Sequence, residues 1–330
     1  MGRIHGIAAM TLLVLLSLPA SGVEVLDGAY RVEVYAKYVD QRLETTGFAL
    51  AFDDYGNLYI PHVSGHVYRV YPNGTSDVVA SVSGTLRDLV WTGGTGYGNN
   101  LYATNMTDNS VIKISPSGTV SQFSTIYSTP VALQLDTVGN FGGMLYAGMN
   151  VNDRVDYILF NGTRGVFSDF PYNNSGGVEG IAFAPANKYG GKMYLGIYSS
   201  NVNSYRGVYS MNTSGIATKF SNDLAWAQQI EFAPDEQFGG GMFVMGADAL
   251  SGARDLWSMD EDGKATLFAK TDIWQLGGFC FGPDGAMYIA EFSYEDRSTT
   301  ISRITQIPEP ATFLLVSLGF ALIRRRNRSE

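Results

Sequence analysis

Apolar and polar residues alternate with a period of two over short stretches along most of this chain. Clear examples are "HVYRVYPNG", "SVIKISPSG", "VDYILFNG", "GVYSMNTSG" and "DLWSMDEDG". A period of two puts every other side chain on one face, as in a half-buried β-strand. Each stretch runs into a turn carrying a glycine, at Gly74, Gly118, Gly162, Gly215 and Gly263. Glycine supplies the positive φ that tight hairpins need. A further strand follows each turn: "SDVVAS", "TVSQFST", "RGVFSDF", "IATKFS" and "KATLFA".

A second pattern precedes each of these hairpins. It is an apolar strand, a glycine-rich turn, then Leu or Met followed by an aromatic. The copies are "FALAFDDYGNLYI", "LVWTGGTGYGNNLYA", "LQLDTVGNFGGMLYA", "IAFAPANKYGGKMYL", "IEFAPDEQFGGGMFV" and "FCFGPDGAMYI". The aligned aromatics are Tyr59, Tyr102, Tyr146, Tyr194, Phe243 and Tyr288, with successive gaps of 43, 44, 48, 49 and 45 residues. A period in the forties built of four short strands matches one blade of a β-propeller. A β-sandwich predicts no fixed period, and a solenoid leaves its end repeats open. The four middle copies share an elaborated turn at Tyr97, Phe141, Tyr189 and Phe238, which could be a contact surface or a relic of duplication.

The sixth copy has three strands, ending with "TISRITQI", and no fourth. The N-terminal "YRVEVYAKYV", Tyr30 to Val39, is a strand without a blade of its own. We therefore predict that it completes the sixth blade and closes the ring, leaving only short, protected edges.

Two apolar runs break the alternation. Ile7 to Leu18 follows Arg3 and precedes Ala20-Ser21-Gly22, the layout of a secretory signal peptide with cleavage after Gly22. Ala311 to Ile323 is 13 residues long, with Pro308-Glu309-Pro310 before it and Arg324, Arg325, Arg326 and Arg328 near the end. A helix of about 20 residues is needed to cross ~30 Å of hydrocarbon. The expected division is residues 1–22 signal peptide, 23–307 propeller body, and 308–330 a short transmembrane helix with its flanks.

Charge narrows the partners. The body, residues 23–307, holds 17 basic and 29 acidic residues, a net of −12. An acidic body does not suit a phosphate backbone, so nucleic acid is not expected. The one cysteine, Cys280, lies between Phe279 and Phe281 and reads as a core thiol. His62 and His66 are the histidines left after residue 22, too few for a three-histidine metal centre. No Gly-x-Ser-x-Gly, P-loop or EF-hand loop is present, and "FDDYGN" and "MDEDG" read as ordinary turns. The sequons at Asn73, Asn105, Asn161, Asn173, Asn212 and Asn327 partly coincide with predicted turns.

Segments such as "NLYATNMTDNSVIKISPSG" and "AMYIAEFSYEDRSTTISRI" resemble the second and third strands of blades in a six-bladed superfamily. That superfamily includes NHL-repeat proteins and the regucalcin/gluconolactonase-like hydrolases. The resemblance covers Tyr30 to Gln306. It implies a ligand site at the mouth of the central channel, with Arg87, Glu179, Gln228 and His62 among the mouth positions. It also implies a divalent cation such as Ca2+ held by oxygen ligands, for which Glu179, Asn105, Glu291 and Asp88 are the candidates. The set is incomplete, because the equivalent positions Met149, Ile197 and Gly246 supply no side-chain oxygen.

The tail resembles the PEP-CTERM sorting signal of exopolysaccharide-producing Gram-negative bacteria, on the strength of Pro308-Glu309-Pro310, the short apolar run and Arg324, Arg325 and Arg326. That resemblance implies recognition and processing by an exosortase, after signal peptidase has removed the leader. The arginines would be held on the cytoplasmic side. The preferred expectation is an exported, non-enzymatic propeller at the cell surface or in the biofilm matrix, with exopolysaccharide among its candidate partners. The rivals are a calcium-dependent lactonase-like hydrolase and a glycan-binding lectin.

Overall fold

The structure, a computed structural model, describes residues 22–39, 49–62, 65–150, 154–169, 176–199, 206–247, 254–271, 276–293 and 298–307. Residues 1–21 of the predicted signal segment and the whole predicted sorting segment, 308–330, lie outside them.

Six antiparallel sheets follow one another along the chain. Blade 1 comprises Ala51–Phe52, Leu58–Pro61, His66–Val70 and Ser76–Ser81, in that order from the axis outward. Blade 2 runs from Leu86–Trp91 through Leu101–Asn105 and Ser110–Ile114 to Val120–Thr125. Blades 3, 4 and 5 repeat this plan, with inner strands Pro130–Leu135, Gly176–Phe183 and Trp226–Phe232. Blade 6 has Leu276–Phe281, Met287–Ser293 and Ser298–Gln306. Its fourth position is taken by Tyr30–Val39, paired antiparallel with Ser298–Gln306 so that Tyr30 faces Gln306 and Val39 faces Ser298. Within the described residues the helical pieces are single turns, at Asp235–Phe238 and Tyr189–Gly191.

The buried side chains form six separate cores, one between each pair of neighbouring blades. Leu89 and Leu101 meet Ala51 and Tyr59 between blades 1 and 2. Tyr97 and Tyr102 meet Leu133 and Leu145 between blades 2 and 3. Blades 3 with 4, 4 with 5, and 5 with 6 each have their own cluster. The sixth joins blade 6 to blade 1, through Cys280, Tyr288 and Ile301 against Leu50, Leu58 and Ile60. The repeat aromatics are all buried in these wedges.

The up-and-down course gives the ring two faces. The mouth face carries the starts of the inner strands and the connections between second and third strands. The turn face carries the hairpins joining first to second and third to fourth strands. On the turn face the hairpin glycine has two duties. Gly118, at φ +84°, could not carry a side chain, because a Cβ there would lie 1.9 Å from the Val79 carbonyl oxygen in the outer strand of blade 1. The same glycine seats blade 3 on blade 2 and blade 4 on blade 3. Beside it, Asn73, Asn161 and Asn212 accept backbone N–H bonds from residues two further on, as turn-forming asparagines do. Asp260 does the same for Asp262 and Lys264, so "MDEDG" is a turn.

One strand escaped the pattern. Val23–Val25 pairs antiparallel with Ala265–Thr271, adding a fifth strand to blade 5. Val23 is buried in the core between blades 5 and 6. The N-terminal segment thus lies against two adjacent blades, and Ala29 accepts a bond from the Ile307 N–H where the last strand ends.

Candidate functional site

The inner strands enclose a cavity of about 300 Å³ on the axis, lined by residues from all six blades. A β-bulge interrupts the pairing of each inner strand in blades 2 to 6: Leu86/Leu89, Pro130/Ala132, Val178/Gly180, Ala227/Ile230 and Leu276/Gly278. A bulge puts two residues opposite one and re-aims the side chains beside it. In blade 2 this brings both Arg87 and Asp88 to the cavity wall. In blade 5 it brings Gln229, while Gln228 is buried elsewhere. Gly180 allows blades 4 and 5 to approach, since a Cβ there would sit 2.0 Å from the Gln228 carbonyl oxygen.

Arg87 and Glu179 form an ion pair at 2.8 Å. They belong to blades 2 and 4, so the guanidinium reaches past blade 3 and the pair spans the mouth end of the channel. Glu179 is 6% exposed. Deeper groups are acidic. Asp88 accepts N–H bonds from Leu89 and, across the blade boundary, from Leu133 at 2.7 Å. Glu231 of blade 5 is 3.4 Å from the Gln229 amide. Gln229 is itself fixed by two bonds to the Phe279 backbone. Blades 2 and 5 are opposite in a ring of six, so Asp88 and Glu231 approach from opposite walls. Burial pushes the Asp88 carboxyl up to about 7 against the pull of its N–H donors and Arg87. Burial and the Asp88 charge push Glu231 up to about 8. A carboxyl held protonated near neutrality is a hydrogen-bond donor as well as an acceptor.

An aromatic and cationic cluster adjoins the pair. The Arg254 guanidinium lies 5.1 Å from the Trp226 ring centre, and Arg206 lies 5.8 Å from that of Tyr198. The two rings are 5.6 Å apart. Burial and the Arg87 charge lower the Arg254 pKa, while Glu179 partly offsets both.

The oxygen ligands anticipated for a cation do not converge. Asp88 and Glu179 line the cavity, but Glu179 is taken up by Arg87. Asn105 is 1% exposed and serves its own loop. Its amide donates to the Ser83 carbonyl and to Asp108, and its oxygen accepts the Thr107 N–H. Glu291 is buried in blade 6 and accepts the Ser302 hydroxyl at 3.3 Å. Among the described residues no group of three or more His, Cys, Asp or Glu side chains gathers as a metal site would. Among the described residues the anticipated ligands do not form a calcium site. His62 and His66 lie in a hairpin of blade 1, with His62 edge-on to Tyr68 and His66 beside Ser81. Burial, then Glu231 and Asp284, raise the Cys280 thiol far above its ordinary value, which suits an inert core thiol.

Sequence reasoning missed Glu231, Gln229 and Arg254. One signal was available: Glu231 is a charged residue inside the apolar run "IEFAP" of an inner strand.

Comparison with known proteins bears on both parts of the chain. The family model for the PEP-CTERM protein-sorting motif matches residues 306–328. The chain carries this motif, which implies export and a transient C-terminal membrane anchor. No curated protein matches the chain. Among solved structures, a gluconolactonase from Xanthomonas campestris is similar over 85% of this chain and 91% of its own, with 11% identity and a TM-score of 0.61. Regucalcin, a calcium-binding protein from Agrobacterium tumefaciens, is similar over 84% and 98%, with 12% identity and a TM-score of 0.57. Virginiamycin B lyase from Staphylococcus aureus is similar over 84% and 100%, with 14% identity and a TM-score of 0.56. At such identities the likeness shows the fold, a six-bladed propeller of four-stranded blades, and not an activity. Among the described residues no helix is long and apolar enough to cross a membrane; Ala311 to Ile323 lies outside them.

Proposed function

We propose that this protein is an exported propeller that acts as a binding module through the polar cavity on its axis. Residues 1–22 direct export, and signal peptidase releases the body at Val23. Residues 308–330 hold the protein in the inner membrane until an exosortase processes the Pro308-Glu309-Pro310 region. The body, 23–307, is then delivered to the cell surface or matrix, where exopolysaccharide is the candidate partner. The Tyr30–Val39 strand acts as the clasp of the ring.

The observation carrying the binding reading is the Arg87–Glu179 pair drawn across the mouth above Asp88 and Glu231. A cavity with a paired cation and carboxylate, two protonatable acids, the Gln134 and Gln229 amides and adjoining aromatic rings suits a small polyhydroxylated or carboxylated ligand. A glycan array and a thermal-shift screen of sugar acids test it. A binder at 100 times its Kd adds ~2.7 kcal/mol of stability. Arg87→Ala should abolish that shift, and the absence of any stabilising sugar or sugar acid would remove the reading.

The fold shared with the gluconolactonase favours a second reading, a calcium-dependent lactone hydrolase. Millimolar calcium that raises the melting temperature, together with lactone hydrolysis abolished by Glu179→Gln, would favour it. Neither is expected from the ligand set described above.

A further inference from the structure

The last strand, Ser298–Gln306, runs from the mouth face to the turn face, and Ile307 is tied to Ala29 there. The chain therefore leaves the body on the turn face, at the outer part of blade 6. The apolar run begins at Ala311. Four Cα steps separate Ile307 from Ala311, a reach of at most ~14 Å. The interfacial layer of a bilayer is itself roughly 5–8 Å thick on each side. The 13-residue run cannot feed out extra length, since as a helix it spans only ~20 Å of a ~30 Å hydrocarbon layer.

We infer that, before its tail is processed, the propeller rests with its turn face against the bilayer surface and its channel mouth directed away from it. The occupant of the turn face is the headgroup layer itself. Leu26 and Ile307 are exposed at the exit point, and Phe160 and Ile216 are exposed in hairpins on the same face. The Asp260-Glu261-Asp262 turn of the adjacent blade is also exposed there. Three carboxylates do not attract an anionic headgroup layer, so the short arm enforces the contact, and cutting the arm ends it. The Arg87–Glu179 end of the channel faces the compartment throughout.

Fluorescence quenching on the full chain in liposomes tests this. Single probes are placed through Phe160→Cys and Ile216→Cys on the turn face and Tyr127→Cys on the mouth face. All three side chains are 64–68% exposed, and the native Cys280 is buried and left in place. Quenching by headgroup-labelled lipid should be several-fold stronger at positions 160 and 216 than at 127. Inserting about 20 Gly/Ser residues between Ile307 and Pro308 should erase the difference. Equal quenching at the two faces overturns the proposal. So does a difference that survives the longer arm, which would mean lipid affinity, or one that grows with protein concentration, which would mean a second copy covers the face.

Discussion

Blades 1 and 6 and blades 2 to 5 solve one problem in two ways. The repeat tyrosine is buried in a wedge between blades and its hydroxyl needs a partner there. In blades 1 and 6 the first hairpin is short and a carboxylate serves: Tyr59 donates to Asp53 and Tyr288 to Asp284, each at 3.0 Å. In blades 2, 3 and 4 the hairpin is longer and a backbone carbonyl serves: Tyr102 donates to Tyr97, Tyr146 to Phe141 and Tyr194 to Tyr189. Blade 5 has Phe243 at this position and needs no partner. The longer hairpin also sends its own aromatic towards the next blade. The Tyr97 hydroxyl donates to the Ile158 carbonyl and accepts the Leu145 N–H of blade 3. Tyr189 repeats this on blade 5 through Met259 and Met242. The elaboration is thus mortar between blades.

Removing that mortar should have the largest effect. Phe141→Ala and Tyr97→Ala each empty a buried aromatic site and should cost about 3–5 kcal/mol in chemical denaturation. Next is Tyr97→Phe, which keeps the ring but strands a carbonyl and an N–H; about 1–3 kcal/mol is expected. The converse, Phe141→Tyr, should gain nothing comparable.

The carboxyls divide in the same way. Burial alone would raise Asp284, but the Arg303 hydrogen bonds, helped by Ala286 N–H and Tyr288, hold it below its ordinary value. Its contribution is full above the unfolded pKa of ~4 and is lost as pH falls through the lower folded value. Asp88 and Glu231, in blades 2 and 5, are raised to about 7 and about 8. Their contribution has the opposite sign: it is full below pH ~4 and is lost as pH rises through those folded values. Asp88→Asn with Glu231→Gln should therefore raise the melting temperature at pH 8.5 by a few degrees and change it little at pH 4. Asp284→Asn should cost about 1 kcal/mol at pH 7 and remove part of the acid-side loss. Tyr59→Phe, which forfeits one hydrogen bond, should cost about 0.5–1.5 kcal/mol. Melting curves across pH check all three.

The period, the blade aromatics and the turn glycines were legible because each repeats and each answers a local need. Burial at positions such as Tyr59 and Tyr146 follows from spacing alone. The lining of the channel was not legible to the same degree. It depends on bulges in the inner strands, and a bulge shifts the alternation without any marker residue. Hence Gln229 rather than Gln228 reaches the cavity, and Asn105, which has the right chemistry, is turned into its own loop. Val23–Val25 was missed because three residues carry no period, and their partner strand lies near the other end of the body.

Six cores shared between neighbours leave no blade that owns its own interior. Losing any one blade opens two wedges at once, as a hoop fails at any stave. Unfolding should therefore proceed as one event rather than as peeling from an end, and a truncation that deletes a single blade should leave a chain that fails as a whole.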